Sequence, residues 1–206
     1  MSSVGKIIME ASFKDASPEG VYSKWAKTYD EDSFDHLQFS SPQSCRSYAL
    51  SWWPTQGSGE EQRVVRVLDA GCGTGALAKL IKDSLTPQEI ENTEFHGTDL
   101  TKEMLDIAAA SGNYTSLSKA SMEERWPVDA GDHFDLVLCN GVMIYVKPSA
   151  FVVSEYIRVT KPGGKCVIMI REDNIGDWQG HLNAAEEAGS WRLVDRSEPM
   201  DNFPGG

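Results

Sequence analysis

The run VLDAGCGTG, from Val67 to Gly75, constrains this chain more than any other. It opens with a short β-branched stretch, VVRVLD, that reads as a strand. Three glycines at alternate positions follow, and then TGALAKLIKDSL, whose Leu77, Leu80 and Ile81 fall on one helical face. A strand that passes through a glycine turn into a helix is the first half of a βαβ unit. Such a unit belongs to a parallel sheet covered by helices.

The rest of the chain repeats this alternation. TEFHGTDL is a second strand ending near Asp99, and TKEMLDIAAAS a helix with Thr101 as its cap. YTSLSKA is a half-polar strand, and FDLVLCNGV a buried one. SAFVVSEYIRVT is a helix capped by Ser149, KPGG a turn, and KCVIMIRE another buried strand. DWQGHLNAAEEAG is a helix stopped by Gly189, and WRLVD is expected to be a sixth strand. Near-continuous apolar strands indicate a doubly wound, mostly parallel sheet with helices on both faces. Ahead of the glycine loop, Ser17-Pro18 and Ser41-Pro42 each read as a helix start. Tyr22, Trp25, Ala26 and Tyr29 then follow at i, i+3, i+4 and i+7, and Cys45, Ala49 and Trp52 mark the second face. Residues 1–60 are expected to form an N-terminal helical lid and 61–206 the core, together one compact domain.

Charge narrows the partners. The formal net charge is −12, and the Lys and Arg residues are scattered without a run. Such a surface repels nucleic acid and anionic lipid. No apolar run approaches the roughly 20 residues of a membrane span, and the N-terminus carries acids, unlike a secretory signal. Cys45, Cys72, Cys139 and Cys166 lie far apart, with no metal-ligand spacing. Reduced thiols in a cytoplasmic setting and no metal are expected.

The ligand of the loop turns on Asp69. Gly71, Gly73 and Ala76 satisfy G-x-G-x-x-A, a permitted dinucleotide fingerprint. A carboxylate about 5 Å from a pyrophosphate charge, however, costs about 3 kcal/mol at an effective dielectric near 20. The same carboxylate favours an ammonium group. S-adenosyl-L-methionine carries one, beside a sulfonium, and its own carboxylate can use loop N–H groups. Asp99, at the end of the second strand, is placed to accept both ribose hydroxyls of either ligand, or to serve only as a helix cap.

VLDAGCGTG together with GTDLTKEML, FDLVLCNGVMIYV and VTKPGGKCVIMI resembles the class I S-adenosylmethionine-dependent methyltransferases, which have a Rossmann-like fold. The match covers roughly 64–171. VYSKWAKTYDED and HLNAAEEAGSWRLV are similar to the methyltransferase-like proteins of the Williams–Beuren-region type. The resemblance implies that Asp69, Gly71, Cys72, Gly73 and Gly75 line the methionine end of the cofactor. It implies that Asp99 holds the ribose, with Leu100 and Met104 near the adenine. It places Asn140 and Gly141 on the cofactor's amino group and along that wall. Tyr22, Trp25 and Tyr29 would close over the methyl group. Many relatives carry an adenine-reading Asp after the third strand; here Ser121 and Met122 occupy that stretch. NGVM replaces the motif of methyltransferases acting on DNA bases, which points to a small-molecule acceptor. The family sheet ends in a seventh, antiparallel strand. Only eleven residues follow WRLVD, so that strand is expected to be missing, leaving a monomer or a weak dimer through an exposed sheet edge.

Methyl transfer from a sulfonium needs alignment and exclusion of water more than a dedicated catalytic group. Tyr145 and His36 are the candidates should the acceptor have to lose a proton. Two other readings stand beside this one: an NAD(P)-dependent oxidoreductase, and a truncated cofactor-binding module without activity.

Overall fold

The computed structural model describes residues 17–54, 63–128 and 133–202. Five strands form one sheet: β1 (Val65–Ala70), β2 (Thr93–Asp99), β3 (Ser116–Lys119), β4 (Phe134–Cys139) and β5 (Thr160–Ile168). Their order is β3-β2-β1-β4-β5, and every pair is parallel. The chain steps outward from β1 to β3, then returns across β1 to lay down β4 and β5. That reversal opens a crevice at the carboxyl ends of β1 and β4, where open α/β sheets take ligands.

Strand period distributes the core to both faces. On one face Val67, Leu136 and Leu138 pack with Cys45, Leu77, Ala78, Ile81 and Phe95. These come from α2 (Ser41–Ser51), α3 (Ala76–Lys82) and β2. On the other face Leu68, Val137 and Cys139 pack with Trp126, Val152, Tyr156, Val159 and Trp178, the last four from α6 (Ala150–Val159) and α7 (Glu172–Glu187). Each buried Val, Leu, Ile or Phe among them contributes about 1.5–3 kcal/mol by leaving water. β4 is buried along its whole length because it faces both layers.

The remaining helices are α1 (Pro18–Trp25), α4 (Pro87–Glu91) and α5 (Lys102–Ala110). Ser17 caps α1, with Pro18 in its first turn, as the sequence predicts. α4 was not anticipated. Thr86 and Glu89 close a reciprocal capping box around it, a signal readable in T-P-Q-E.

Four expectations need correction. The periodic aromatic face does not make one long helix. α1 ends at Trp25, and the chain continues as a 3₁₀ turn (Ala26–Thr28) and a π turn (Glu31–His36). The widened turn brings Asp32 beneath Trp25, whose Nε1–H donates to it at 2.8 Å, while Thr28 Oγ1 donates at 2.9 Å. The start of α2 shifts by one: Ser40 holds the cap position without a capping bond, and its hydroxyl donates to the Asp201 carbonyl at 2.7 Å. KPGG is a bulge inside β5, where pairing jumps from Phe134↔Thr160 to Leu136↔Lys165.

The fourth correction is the sixth strand. WRLVD forms none, so β5 is the sheet edge on that side among the described residues. Its polar groups go to α7 instead: Trp191 Nε1–H donates to the Leu182 carbonyl at 2.8 Å, and Leu193 N–H to Glu186 at 3.2 Å. Arg192 and Asp195 interrupt the apolar residues, so a sheet edge could cover only one side of the segment. Leu193 and Val194 lie exposed. The expected boundary at 60/61 falls outside the described residues.

Candidate cofactor site

β1 delivers the glycine loop to the crevice. Gly71 has φ +78°, and a Cβ there would lie 2.2 Å from Val142. The loop therefore closes against the segment after β4 only if this residue is glycine. Gly75 has φ +89°, and its Cβ would meet the Tyr114 ring at 2.8 Å. The loop amides are mostly spent on the protein itself. Gly71 and Cys72 N–H donate to the Thr98 carbonyl at 2.7 and 2.8 Å, Gly73 N–H to Asp99 at 2.9 Å, and Gly75 N–H to the Cys72 carbonyl at 2.9 Å. These four N–H groups are therefore already engaged within the protein.

Two carboxylates organise the crevice. Asp69 is 1% exposed, and the Tyr114 hydroxyl donates to its Oδ2 at 2.8 Å. Burial raises its pKa to about 7; the Tyr114 bond pulls it down and the Asp99 charge pushes it up. Asp99 accepts N–H bonds from Gly73 on Oδ2 and from Thr101 on Oδ1, at 2.9 and 2.8 Å. Burial raises its pKa too, against those backbone bonds. Asp99 thus ties β2 to the glycine loop and caps the turn into α5. Thr101 occupies the cap position of α5 but makes no side-chain bond there.

The N-terminal segment covers this end of the sheet. Ser23 donates to Glu103 on α5 at 2.6 Å, Lys119 on β3 pairs with Glu19 at 2.6 Å, and Thr74 in the loop donates to Asp30 at 2.6 Å. Ser41 donates to Asn140. Tyr22, Trp25 and Tyr29 form one aromatic cluster with ring centroids 4.7–5.9 Å apart. The Tyr22 hydroxyl donates to Tyr145 at 3.1 Å, with their rings edge to face. Burial, then the neighbouring tyrosines, keeps Tyr22 protonated, and burial raises Tyr29 to about 12.

Beneath the lid lies a small, partly open cleft of about 40 Å³. Asp69, Gly71, Cys72, Gly73, Tyr29 and Asn140 are among its lining residues, and among the described residues no Lys, Arg or His lines it.

Residues 67–164 match the family model described as a methyltransferase domain. Over that stretch, just under half of its length, the chain is similar to methyltransferase domains. Human methyltransferase-like protein 27 is 29% identical over 179 residues, covering 82% of this chain and 66% of that protein. The ubiquinone biosynthesis O-methyltransferase of Psychrobacter cryohalolentis is 29% identical over 136 residues, covering 64% of this chain and 49% of its own. The chain thus spans between about half and two thirds of these relatives. In fold it is similar to an S-adenosyl-L-methionine-dependent methyltransferase structure from Methanococcus maripaludis, with TM-score 0.56 and 19% identity over 81% of this chain and 71% of that one. It is also similar to Haemonchus contortus phosphoethanolamine N-methyltransferase 2, solved with S-adenosylhomocysteine, with TM-score 0.57 and 18% identity over 89% of this chain and 44% of that one.

Such methyltransferase domains use S-adenosyl-L-methionine, and a buried carboxyl with no cation beside it among the described residues fits the ammonium group of that cofactor. Gly73 leaves open space where a Cβ would stand. Of the other expected residues, Tyr22, Trp25 and Tyr145 form the lid and its facing wall, outside the cleft lining. Gly75 and Leu100 stand behind the loop and after β2, and Met104 is buried on α5. Ser121 accepts Glu123 N–H at 3.1 Å, and Met122 packs into the core beside Trp126. Gly141 turns the chain after β4 with φ +73°. His36 sits apart, its side chain 60% exposed and 3.9 Å from Glu31. Sequence reasoning missed Phe34, Pro42 and Thr74, which line the cleft, and Tyr114 beneath it. T-G after the glycines was a readable signal for Thr74; nothing local marked Tyr114.

Proposed function

We propose that this protein binds S-adenosyl-L-methionine in the cleft at the carboxyl ends of β1 and β4 and transfers its methyl group to a small-molecule acceptor. The observation that carries the reading is Asp69, a buried carboxyl in a cleft with no cationic lining residue among the described residues. The same carboxyl argues against a pyrophosphate, and so against the dinucleotide oxidoreductase. The relatives named for ubiquinone biosynthesis support a small-molecule acceptor, and the net charge of −12 speaks against nucleic acid.

The cofactor supplies an activated methyl on a sulfonium; the chain supplies position and dryness. Asp69 holds the ammonium end. Asp99 keeps the loop in place and has lone pairs left for ribose hydroxyls. Asn140 is held by Ser41 at the rim of the cleft. The Tyr22–Trp25–Tyr29 cluster on the lid excludes water and offers ring faces to a cation. The Tyr22–Tyr145 hydroxyl pair forms a wall facing the acceptor, in which burial keeps Tyr22 protonated. Residues 1–60 act as lid and 61–206 as core. No helix among the described residues is long and apolar enough to cross a membrane, and four free cysteines support a cytoplasmic location.

Calorimetric titration with S-adenosylhomocysteine and with NADH tests the cofactor. Binding of the first is expected; binding of NADH alone would overturn the reading. Release of S-adenosylhomocysteine from S-adenosyl-L-methionine over a panel of small acceptors tests the transfer.

A further inference from the structure

Tyr114 lies just before β3 and is not part of the glycine loop, yet three elements are shaped around it. A Cβ on Gly75 at the start of α3 would stand 2.8 Å from its ring, and one on Gly97 in β2 would stand 3.0 Å away. From β1, Asp69 accepts its hydroxyl at 2.8 Å. Among the described residues the groups facing Asp69 are Tyr114, Cys72 in the loop, Asp99 after β2, Cys45 on α2 and Cys139 on β4. None of them is a cation. Burial pushes the three thiols and Tyr114 upward, so all four stay neutral.

We propose that Tyr114 is a positioning residue that holds Asp69 ready for the ammonium group of the ligand, and that Asp69 gives up one proton when that ammonium arrives. The proposal rests on the cofactor reading above. The balance is simple. A carboxylic acid and an ammonium ion become a carboxylate–ammonium pair, and the proton goes to solvent. Tyr114 keeps its own proton and donates to whichever form Asp69 takes, favouring the carboxylate. Burial has already brought Asp69 to about 7, so the exchange falls at neutral pH.

Binding to the full chain is measured by calorimetry between pH 6 and 8.5, in buffers of differing ionisation enthalpy. S-adenosylhomocysteine, which carries the ammonium, is compared with 5′-methylthioadenosine, which lacks the amino-acid end. From pH 8 to pH 6 the affinity for the first is expected to fall about tenfold, with close to one proton released at pH 6; the second should not respond. Tyr114→Phe should weaken S-adenosylhomocysteine about fivefold at pH 7 and less than twofold at pH 8.5, because losing the donor moves the titration upward. Asp69→Asn should bind S-adenosylhomocysteine weakly and equally at every pH. It also decides the proton exchange if the Tyr114 variant does not fold. A uniform loss for both ligands at every pH would make Tyr114 merely structural and overturn its role. Binding of S-adenosylhomocysteine by the wild type without proton release would overturn the exchange while leaving the cofactor reading intact. Failure of both ligands to bind would overturn the cofactor reading and this inference with it.

Discussion

Asp69 and Asp135 are buried to the same degree, 1% and 4% exposed, on adjacent strands at opposite ends of the sheet. Their surroundings differ completely. Asp135, at the amino end of β4, is met by the Arg63 guanidinium, by Lys161 at 2.9 Å and by Arg66 N–H at 2.9 Å. Glu155 shows the same design on α6: burial raises its pKa, but Arg158 and the Trp126 N–H bring it below the usual range. Among the described residues Asp69 has one phenol and no cation. A buried carboxylate finished by cations is a structural tie. One left to a neutral donor bears an energetic debt that a cationic ligand would cancel.

The sharpest way to break this comparison is to make the same substitution at both positions. In the folded, ligand-free chain Asp69 keeps its proton up to about pH 7, whereas its ordinary value is 3.8. Between those values the folded state holds the extra proton, so stability falls as pH rises through the window. Asp69→Asn removes that slope and still accepts from Tyr114. It should leave the ligand-free protein more stable than wild type at pH 8 by about 4 kcal/mol. Asp135→Asn should do the reverse. It turns an amide toward Lys161 and Arg63, and should cost about 2–3 kcal/mol, or some 4–12 °C in Tm. Urea melts at pH 5 and pH 8 read both signs. Equal signs would show that the two carboxyls do the same job.

The contrast also marks how far the sequence could be read. Local signals carried the elements: the apolar runs of β1 and β4, the caps at Ser17 and Ser149, and the glycine loop each dictate their own structure. Asp69 was legible as an ammonium partner because a carboxylate beside a glycine loop is odd in itself. Its partner Tyr114 stands 45 residues away, and no periodicity reports such a contact. The π turn was hidden because i, i+3, i+4, i+7 spacing survives when a helix loosens after its second turn. WRLVD misled because alternation shows that a strand is possible without showing that a partner is waiting for it. Asp135, inside FDLVLC, gave no sign that three donors would converge on it from Arg63, Arg66 and Lys161.

Asp99 tests the same end of the sheet more gently. Its carboxylate already serves Gly73 and Thr101, so Asp99→Ala frees two N–H groups as well as removing acceptors for the ribose. At least a tenfold loss in S-adenosylhomocysteine affinity is expected, about 1.4 kcal/mol. Unlike the loss in Asp69→Asn, it should extend to 5′-methylthioadenosine, which has the ribose but not the ammonium. A loss confined to S-adenosylhomocysteine would move Asp99 from the ribose to the amino-acid end.

The smallest expected effect lies at the opposite end, in Lys161→Met. Lys161 is one of three donors to Asp135, and its side chain is 34% exposed, that of Arg63 58%. Solvent already screens both cations, so deleting one should cost no more than about 1 kcal/mol, and less still in 1 M salt. The Arg66 N–H, inside β1, is what salt cannot reach. A loss near 3 kcal/mol would mean that Lys161 alone neutralises Asp135, and that the other two donors only fill space. A loss under 1 kcal/mol, beside the full penalty of Asp135→Asn, would locate the tie in the carboxylate and its convergent donors together. That redundancy is what Asp69 lacks: with a single neutral donor, it has nothing to share the charge until a ligand brings a cation.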